Sequence, residues 1–371
     1  MPARIEVISG FGEKAPAAIY VQTTNKSGQT VRLLLDAGGS LEGLPDKGWN
    51  IPDNLDAVLI SHDHQDHIGG LPDLDKQIPV YATPQVQPYL PKQLTVQTLP
   101  NKGTIEIVGI AVTTGNAGHS FGGVWIHLGI DNGLFYSGDF CKESELFPFD
   151  PPPTADIALI DASYGLYDVP QSRSKQAIRH SLSQTQPNLF PVPQSGRALE
   201  LAMWFHSHSI GNGQDIDNRQ GIDNGQRYDN WVLGEDCIQP NAVLTSPKGL
   251  FTTYAEQTLV TMTPPPFNDN AHIILCGDPE GFSGDAGRLI DSGHCHVIYT
   301  GHLPAHAKTA VANDEAHFIR WNVHPTISDQ ATLIEELQCS YCLPLFTKIN
   351  DLSEWQRRLG DTIIDTPIIE Y

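Results

Sequence analysis

The segment Ser61-His62-Asp63-His64-Gln65-Asp66-His67 carries three histidines and two aspartates within six consecutive positions. It directly follows the apolar run Ala57-Val58-Leu59-Ile60, which is typical of a buried strand. Folds that mix helices and strands usually place their functional sites at the carboxyl ends of such strands. Imidazole and carboxylate are ligands that zinc prefers, and a sharply turning loop can direct several of them at one point. The segment therefore predicts a metal site.

The spacing within this segment allows two ions. His62 and His64 could share one ion, and Asp66 and His67 could face a second ion nearby. The alternative interpretation is a polar surface turn. An HxHxDH cluster immediately after an apolar strand is hard to explain in that way.

Three further polar residues follow apolar runs in the first 140 residues. Asp36 follows the predicted strand 31–35, within Leu35-Asp36-Ala37-Gly38-Gly39. His119 lies within Gly118-His119-Ser120-Phe121-Gly122-Gly123, and Asp139 lies within Tyr136-Ser137-Gly138-Asp139-Phe140. Strand ends could bring all three residues to the edge that carries the histidine segment.

These motifs, in this order, resemble the signature of the metallo-β-lactamase superfamily of hydrolases. The resemblance implies an α/β fold, an αββα sandwich with its site at one edge. It also implies a ligand set and roles: one zinc on His62, His64 and His119, a second ion on Asp66 and His67, Asp139 as a bridge, Asp36 as a carboxylate that orients a ligand histidine, and Asp66 as part of the catalytic machinery. Manganese is the alternative metal.

The first half of the chain reads as short strands joined by turns. Predicted strands cover residues 5–9, 18–24, 31–35, 80–83, 105–114 and 124–130. Asp131-Asn132-Gly133 then precedes Leu134-Phe135-Tyr136, and Asn-Gly between two such runs is a strong hairpin signal. That hairpin would deliver Asp139 at the end of its second strand.

The pattern of predicted elements changes from short strands to alternating helices and strands after the break at Asp150-Pro151-Pro152-Pro153 and a buried strand at 157–160. The later elements predicted are helices at 174–186 and from Arg197, capped by Ser195, and strands at 188–193, 242–245, 273–276 and 297–300. Residues 211–230, rich in Gly, Asn, Asp and Gln, predict an exposed mobile loop. The glycine-rich loop 277–284 could cradle phosphate through backbone amides, although its own acidic residues weaken that interpretation.

This later part is similar to the β-CASP insert, which marks the nucleic-acid-processing branch of the superfamily. Pro191-Val192-Pro193-Gln194-Ser195-Gly196-Arg197-Ala198 resembles the strand-then-helix element of that branch. Asp161 falls at the acidic motif A, and His324 falls at the motif B histidine, ahead of a predicted helix at 328–338. The resemblance implies a core at 1–165, an inserted smaller α/β domain at 166–317, and a return to the core at 318–371. It also implies that His324 contacts or protonates the leaving oxygen and that Asp161 holds its ring.

One position departs from the pattern of this branch. Motif C normally supplies a histidine after the next strand, and Phe346, within Leu343-Pro344-Leu345-Phe346-Thr347-Lys348, stands in that place. Phenylalanine cannot bind a metal, so the second ion is expected to bind weakly. His302 and His306 are possible substitutes.

Composition adds constraints on partners and location. The formal charge of -21 over 371 residues repels polyanions and argues against general nucleic-acid binding. No apolar run approaches about 18 residues, and the N-terminus lacks the features of a signal peptide. A cytoplasmic protein without membrane contact is expected, and a homo-oligomer stays open. Of the six cysteines only Cys339 and Cys342 have CxxC spacing, which favours buried reduced thiols over a zinc knuckle.

The leading hypothesis is a metal-dependent phosphodiesterase or ribonuclease of the β-CASP type, acting on RNA or single-stranded nucleic acid. The acidic charge favours an alternative, a metallohydrolase for a small ester, lactone or thioester. The missing motif C histidine favours a third, a catalytically degenerate scaffold. Cleavage of labelled RNA would select the first hypothesis, activity on small esters alone the second, and near-zero metal content the third.

Overall fold

The computed structural model describes residues 3–40, 48–194, 196–209, 230–301 and 303–371. The chain divides into two compact units. The first consists of Met1–Val169 and Asn322–Tyr371, and the second, Pro170–Trp321, is inserted between these two parts. Both boundaries lie a few residues beyond those predicted from the sequence.

Regular elements follow one another closely along the described chain. The strands are β1 (Arg4–Ser9), β2 (Ala18–Thr24), β3 (Thr30–Leu35), β4 (Ala57–Leu59), β5 (Val80–Ala82), β6 (Val96–Thr98), β7 (Gly103–Ile107), β8 (Ile110–Asn116), β9 (Val124–Leu128), β10 (Leu134–Tyr136), β11 (Ile157–Asp161), β12 (Asn188–Pro191), β13 (Trp231–Leu233), β14 (Ile273–Cys276), β15 (His296–Tyr299), β16 (Ala316–Phe318), β17 (Tyr341–Leu345) and β18 (Ile368–Glu370). The helices are α1 (Gln65–Ile68), α2 (Gln171–Ser181), α3 (Arg197–Ser209), α4 (Pro240–Leu244), α5 (Thr253–Thr261), α6 (Gly284–Asp291), α7 (Ala305–Ala312), α8 (Ile327–Leu337) and α9 (Leu352–Leu359), with short 3-10 turns at Leu71–Asp73 and Gln87–Tyr89.

The first unit is a sandwich of two sheets. One sheet has the strand order β18-β1-β2-β3-β4-β5-β6, and the other has the order β17-β11-β10-β9-β8-β7. Side chains from both sheets share one buried core, including Leu33 and Leu59 from the first sheet and Ile126 and Leu159 from the second. The unit is therefore an α/β fold in which the two sheets pack face to face.

Alternation along the strands builds the outer layers of this sandwich. Leu34 and Val58 point away from the shared core and pack beneath the loops and short helices that flank the first sheet. Phe135 and Ile160 point outward from the second sheet, where they pack with residues of α8 and α9. Successive side chains of a strand face opposite sides, so strands buried on both faces read as near-continuous apolar runs. The expected αββα arrangement is confirmed.

Parallel pairing determines where the polar residues gather. In the first sheet β3 pairs in parallel with β4, and in the second sheet β11 pairs in parallel with both β10 and β17. Their carboxyl ends therefore lie at common edges of the two sheets. Asp36, Ser61, Asp139, Asp161 and Phe346 all stand at or just after these strand ends.

The inserted unit is built on a parallel sheet of order β13-β14-β12-β15-β16. Leu189 of β12 packs with residues of α6 and α7 on one face of that sheet. The neighbouring Phe190 faces the other side, where its ring lies 5.5 Å from that of Phe205 on α3. Helices thus cover both faces, as is usual for a parallel sheet.

The helix predicted at 174–186 instead spans Gln171–Ser181, and two further elements differ from the sequence predictions. The strand predicted at 105–114 is a hairpin of β7 and β8, which turns at Val108 and Gly109 with φ angles of 46° and 80°. The strand predicted at 242–245 is wrong, because Pro240–Leu244 is a helix with proline in its first turn. Ser195 and His302 lie outside the described residues, and so do all but the last residue of the predicted loop 211–230.

No helix among the described residues is long and apolar enough to cross a membrane. All six cysteines are free thiols, and each of them is buried except Cys295, which is half-buried.

Candidate metal centre

The loop after β3 and the histidine segment after β4 are held together by backbone contacts. The amide of Ala37 donates to the carbonyl of His67, and the amide of Gly39 donates to the carbonyl of Gln65. Gly38 permits this approach, because a Cβ at that position would lie 1.9 Å from the carbonyl oxygen of Asp66. The glycines thus set the histidine segment against the strand end that carries Asp36.

Asp36 is fully buried and its carboxylate organises this edge of the sheet. Oδ1 accepts from the amide of Ser61, while Oδ2 accepts from the Ser61 hydroxyl and the Tyr136 hydroxyl at 2.7 and 2.6 Å. Nδ1 of His67 lies 2.7 Å from Oδ2. Burial and the nearby charge of Asp36 raise the pKa of Tyr136 well above its usual value, so its hydroxyl remains a donor. The backbone of Asp36 has a φ of 58°, which is uncommon outside glycine.

Hydrogen bonds on the outer side of each ring determine which nitrogen faces the site. Ser61 Oγ donates to Asp36, so it accepts from Nδ1 of His62 at 3.0 Å and leaves Nε2 of His62 with a lone pair. Nδ1 of His119 donates to the carbonyl of Val323, which leaves Nε2 of His119 as its inward atom. This use of the outer nitrogen is how metal-binding histidines are usually oriented.

Four of the predicted ligands form a compact group. Ligand atoms of His62, His64, His119 and Asp139 all lie within 4.8 Å of one another. Nε2 of His119 is 3.1 Å from Nδ1 of His64, and Oδ2 of Asp139 is 3.7 Å from Nε2 of His62 and 3.5 Å from Nε2 of His119. Three nitrogens and one carboxylate oxygen match the donors that zinc takes.

Two atoms in this group call for a cation. Nε2 of His62 and Oδ1 of Asp139 are buried and accept or donate no hydrogen bond among the described residues. A buried polar atom without a partner costs about 1–3 kcal/mol. A bound divalent ion would satisfy such atoms, so the residues present fit a metal.

Electrostatics favour the neutral form of two of these rings. Burial, reinforced by the charges of His67 and His64, lowers the pKa of His62 well below its usual value. Burial also lowers the pKa of His119 well below its usual value, against the opposing effect of Asp139. Both rings are therefore neutral at pH 7, which is the form that binds a metal.

The electrostatic environment of His67 differs from that of His62 and His119. Burial lowers its pKa, but the carboxylates of Asp139 and Asp36 outweigh burial and hold that pKa well above its usual value. Burial likewise raises the pKa of Asp139, yet His67 and His324 outweigh it and keep that pKa well below its usual value. The His67 ring thus lies between the carboxylates of Asp36 and Asp139.

A second group lies beside the first and shares Asp139 with it. Ligand atoms of Asp139, Asp161 and His324 lie within 4.8 Å of one another. Nδ1 of His324 is 2.8 Å from Oδ2 of Asp161 and 3.7 Å from Oδ2 of Asp139. Asp161 is fixed in turn by the amide of Ser163, which donates to its Oδ1 at 2.8 Å. The structure thus brings the two predicted motif residues next to the proposed ligands.

The remaining predicted ligands are placed less favourably. Neither Asp66 nor His67 belongs to the compact groups that the described residues form. Nε2 of His67 does face Oδ1 of Asp139, at 3.3 Å. The other side of the His67 ring meets Phe346, with ring centroids 5.6 Å apart. His306 lies on α7 of the inserted unit, where its ring packs on Phe282.

Three residues of the site were missed from the sequence. Ser61 and Tyr136 contact Asp36, and the carbonyl of Val323 orients His119. Ser61 and Tyr136 stand next to predicted motif residues at strand ends, which is the signal that could have found them. A backbone carbonyl carries no such signal, because any residue type supplies one.

A cavity of about 620 Å³ opens beside the site. Its lining residues are Gly12, Glu13, Lys14, Ser163, Phe346, Thr347 and Lys348. Two of them connect it to the groups above, since Phe346 contacts the His67 ring and the Ser163 amide holds Asp161. Lys14 and Lys348 are exposed at this cavity.

The glycine-rich loop 277–284 of the inserted unit is a poor phosphate cradle. Oδ2 of Asp278 accepts from the amides of Phe282 and Ser283 at 2.9 and 2.7 Å and from the Ser283 hydroxyl. Oδ1 of Asp278 accepts from the amide of Glu280. The amides that would bind phosphate are already bonded to a carboxylate of the same loop, so they are not available to a ligand.

Asp36→Asn is expected to weaken metal binding by about 10- to 100-fold, the usual cost of losing a residue that orients a ligand. An amide cannot accept at both of its atoms, so the chain from Asp36 through Ser61 to His62 is broken. Titration against a competing chelator measures the affinity. Asp56→Asn is the matched control, since Asp56 also accepts from a backbone amide, that of Arg32, but stands outside the site. Equal affinities for the two variants would contradict the role of Asp36.

Comparison with known proteins supports the assignment of the fold. Residues 31–164 match the model of a family described as the beta-lactamase superfamily domain. A transcription termination factor, FttA, of Methanothermobacter thermautotrophicus is 31% identical over 250 residues, covering 54% of this chain and 38% of that protein. A ribonuclease of Thermus thermophilus is 29% identical over 217 residues, covering 48% of this chain and 50% of that protein. The chain spans half or less of the length of these curated relatives.

A solved structure extends the likeness to the whole chain. A protein of unknown function from Enterococcus faecalis V583 has a TM-score of 0.61 and 13% identity, and the match covers 100% of both chains. At this identity the likeness concerns the fold alone.

Proposed function

We propose that the protein is a metal-dependent hydrolase of phosphodiester bonds in RNA or single-stranded nucleic acid. The match of residues 31–164 to the beta-lactamase superfamily domain supports the hydrolase class. One observation carries the proposal. The compact group of His62, His64, His119 and Asp139 shares its carboxylate with the Asp161–His324 pair. A metal site and a proton-transfer pair thus meet at a single side chain.

The ligands in this proposal are Nε2 of His62, Nδ1 of His64, Nε2 of His119 and the carboxylate of Asp139. Zinc is the expected ion, with manganese as the alternative. A bound divalent ion lowers the pKa of water toward about 7 and stabilises negative charge on phosphoryl oxygens. Ser61, itself bonded to Asp36, orients His62, and the carbonyl of Val323 orients His119.

Asp161 and His324 are assigned to proton transfer. Asp161 accepts from Nδ1 of His324, so the ring is held in place and Nε2 is the atom that exchanges a proton. In the proposed reaction water first loses a proton to solvent, and the resulting hydroxide oxygen attacks phosphorus. The bond from phosphorus to the leaving oxygen breaks, and that oxygen takes a proton from Nε2 of His324, which solvent then restores.

The relatives support a nucleic-acid substrate, because one is named a ribonuclease and several are named transcription termination factors. The overall charge of -21 works against it. The cavity beside the site has a local positive charge that would attract phosphate, since two lysines and one glutamate line it. Long-range repulsion is screened beyond about 8 Å at physiological salt, so local charge counts for more near the site.

The substitution of both Lys14 and Lys348 by glutamine is expected to raise KM for RNA by about tenfold while kcat changes little. Each phosphate contact that is lost should also lower the slope of log affinity against log salt by about 0.7 for a single strand. Steady-state kinetics at several salt concentrations measure both effects. Lys76→Gln with Lys92→Gln is the control, because these exposed lysines give the same change in net charge elsewhere. If the double variant had the same salt slope as the control, the cavity would not contribute to substrate binding.

The net charge favours a second candidate, a metallohydrolase for a small ester, lactone or thioester. The deciding experiment incubates metal-loaded protein with 5′- and 3′-labelled single-stranded RNA and, in parallel, with small esters. We expect RNA cleavage that EDTA abolishes and that His64→Ala lacks. Intact RNA together with ester turnover would select the second candidate. A protein that binds metal but leaves every substrate intact would be a degenerate scaffold.

A further inference from the structure

The side of Asp139 that faces His67 offers few donors for a second ion. Oδ1 of Asp139 lies 3.3 Å from Nε2 of His67 and has no hydrogen-bond partner among the described residues. The other nitrogen of His67 is held by Asp36 at 2.7 Å, so this ring cannot turn to present a different atom. Two donor atoms therefore face each other here. Zinc sites take three or four protein ligands, so two donors are too few.

Phe346 closes the position next to these two donors. Its ring is buried and meets the His67 ring at an interplanar angle of 70°. The amide of Phe346 donates to the carbonyl of Gly10 at 2.7 Å, and a Cβ on Gly10 would lie 2.8 Å from Cε1 of Phe346. The phenyl ring is thus packed firmly in place. It has no lone pair to offer a metal.

The backbone at Phe346 has a conformation that phenylalanine rarely adopts. Its φ of 62° lies in the left-handed region, where a bulky aromatic residue is unusual and histidine is less so. The packing of the ring against His67 and Gly10 offsets this strain. The phenyl ring therefore fills this position and places no polar group there.

Asp66 does not complete the second site either. Its carbonyl oxygen accepts from the amide of Ala17, which fixes the backbone of the segment. Its carboxylate belongs to neither compact group of donors among the described residues. The donor side chains thus form a complete site for one ion and an incomplete site for the second ion expected from the sequence.

We propose that this protein binds a single divalent ion per chain, on His62, His64, His119 and Asp139, with Phe346 blocking the second position. This inference rests on the metal binding in the proposed function and departs from the expectation of two ions. Asp139 then acts as a ligand of one ion rather than as a bridge. His67 serves as a partner that positions Asp139.

Metal counting tests the proposal in the intact protein. The chain is loaded with manganese, dialysed, and analysed for metal content and by electron paramagnetic resonance. We expect about one ion per chain, with the spectrum of an isolated ion. Phe346→His should raise the count to about two and give the spectrum of a coupled pair, because the new imidazole adds a third donor beside His67 and Asp139. Phe346→Leu is the control and should stay at about one ion, since it changes the size of the side chain without adding a donor.

The outcomes test the single-ion inference, the blocking role of Phe346 and the proposed function separately. Two coupled ions in the wild-type protein overturn the single-ion inference, whether or not Phe346→His folds, and leave the proposed hydrolase standing if RNA is cleaved. A folded Phe346→His protein that still holds one ion overturns the blocking role of Phe346. One isolated ion without cleavage of RNA supports this inference and contradicts the proposed function. No bound ion overturns both.

Discussion

Replacing Asp139 with asparagine is expected to lower kcat/KM for RNA cleavage by on the order of 10²–10³-fold, since a metal contributes several kcal/mol to stabilising the transition state. Asp139 is buried, and its carboxylate lies within 3.7 Å of nitrogens of His62, His67, His119 and His324. Asparagine keeps the shape but removes the negative charge on which these rings converge. Kinetics and metal analysis of the same preparation measure the two losses together.

Asp53→Asn is the control for this substitution. Asp53 is exposed, and its replacement removes the same negative charge at a position away from the site. It should keep wild-type metal content and activity. If Asp139→Asn also retained its metal and cleaved RNA at the wild-type rate, Asp139 would not be a ligand.

His324→Asn is expected to lower the rate of RNA cleavage by about 10²–10⁴-fold, the usual contribution of general acid or base catalysis, without loss of metal. The amide of asparagine can still donate to Asp161, which now accepts from Nδ1 of His324 at 2.8 Å. It cannot release a proton to a leaving oxygen. Rates of RNA cleavage and the metal content of the variant give the two readouts.

The leaving group separates proton transfer from a structural effect. A nitrophenyl phosphodiester expels a stable anion that needs no proton, so His324→Asn should cleave it at nearly the wild-type rate. His127→Asn is the matched control, because His127 lies on β9 outside the site and bonds to the carbonyl of Thr154. Equal losses on both substrates would assign His324 to positioning instead.

Much of the fold could be predicted from the sequence because its strands are buried and short. The apolar runs that become β3, β4 and β11 are bounded by turn residues, and their ends locate the polar residues correctly. The hairpin at Val108 and Gly109 was missed because valine rarely adopts a positive φ, so the pair carries a weak turn signal. The helix at Pro240–Leu244 was read as a strand because short apolar runs fit either element.

The site was predictable to the extent that its residues follow strand ends. His62, His64, His119 and Asp139 were named from the sequence and lie together. The sequence assigned Asp66 and His67 to a second ion, but whether their side chains form a complete site could not be foreseen, because neighbours in a tight turn point in directions that only the folded backbone determines. The packing of Phe346 against His67 likewise depends on the pairing of β17 with β11, which joins segments far apart in the chain.

Anomalous diffraction at the metal edge, on crystals grown from metal-loaded protein, tests the central claim most directly. We predict one strong peak bonded to Nε2 of His62, Nδ1 of His64, Nε2 of His119 and the carboxylate of Asp139, at about 2.0–2.2 Å for zinc. A peak elsewhere in the molecule would contradict the account. So would metal-free rings that point away from one another.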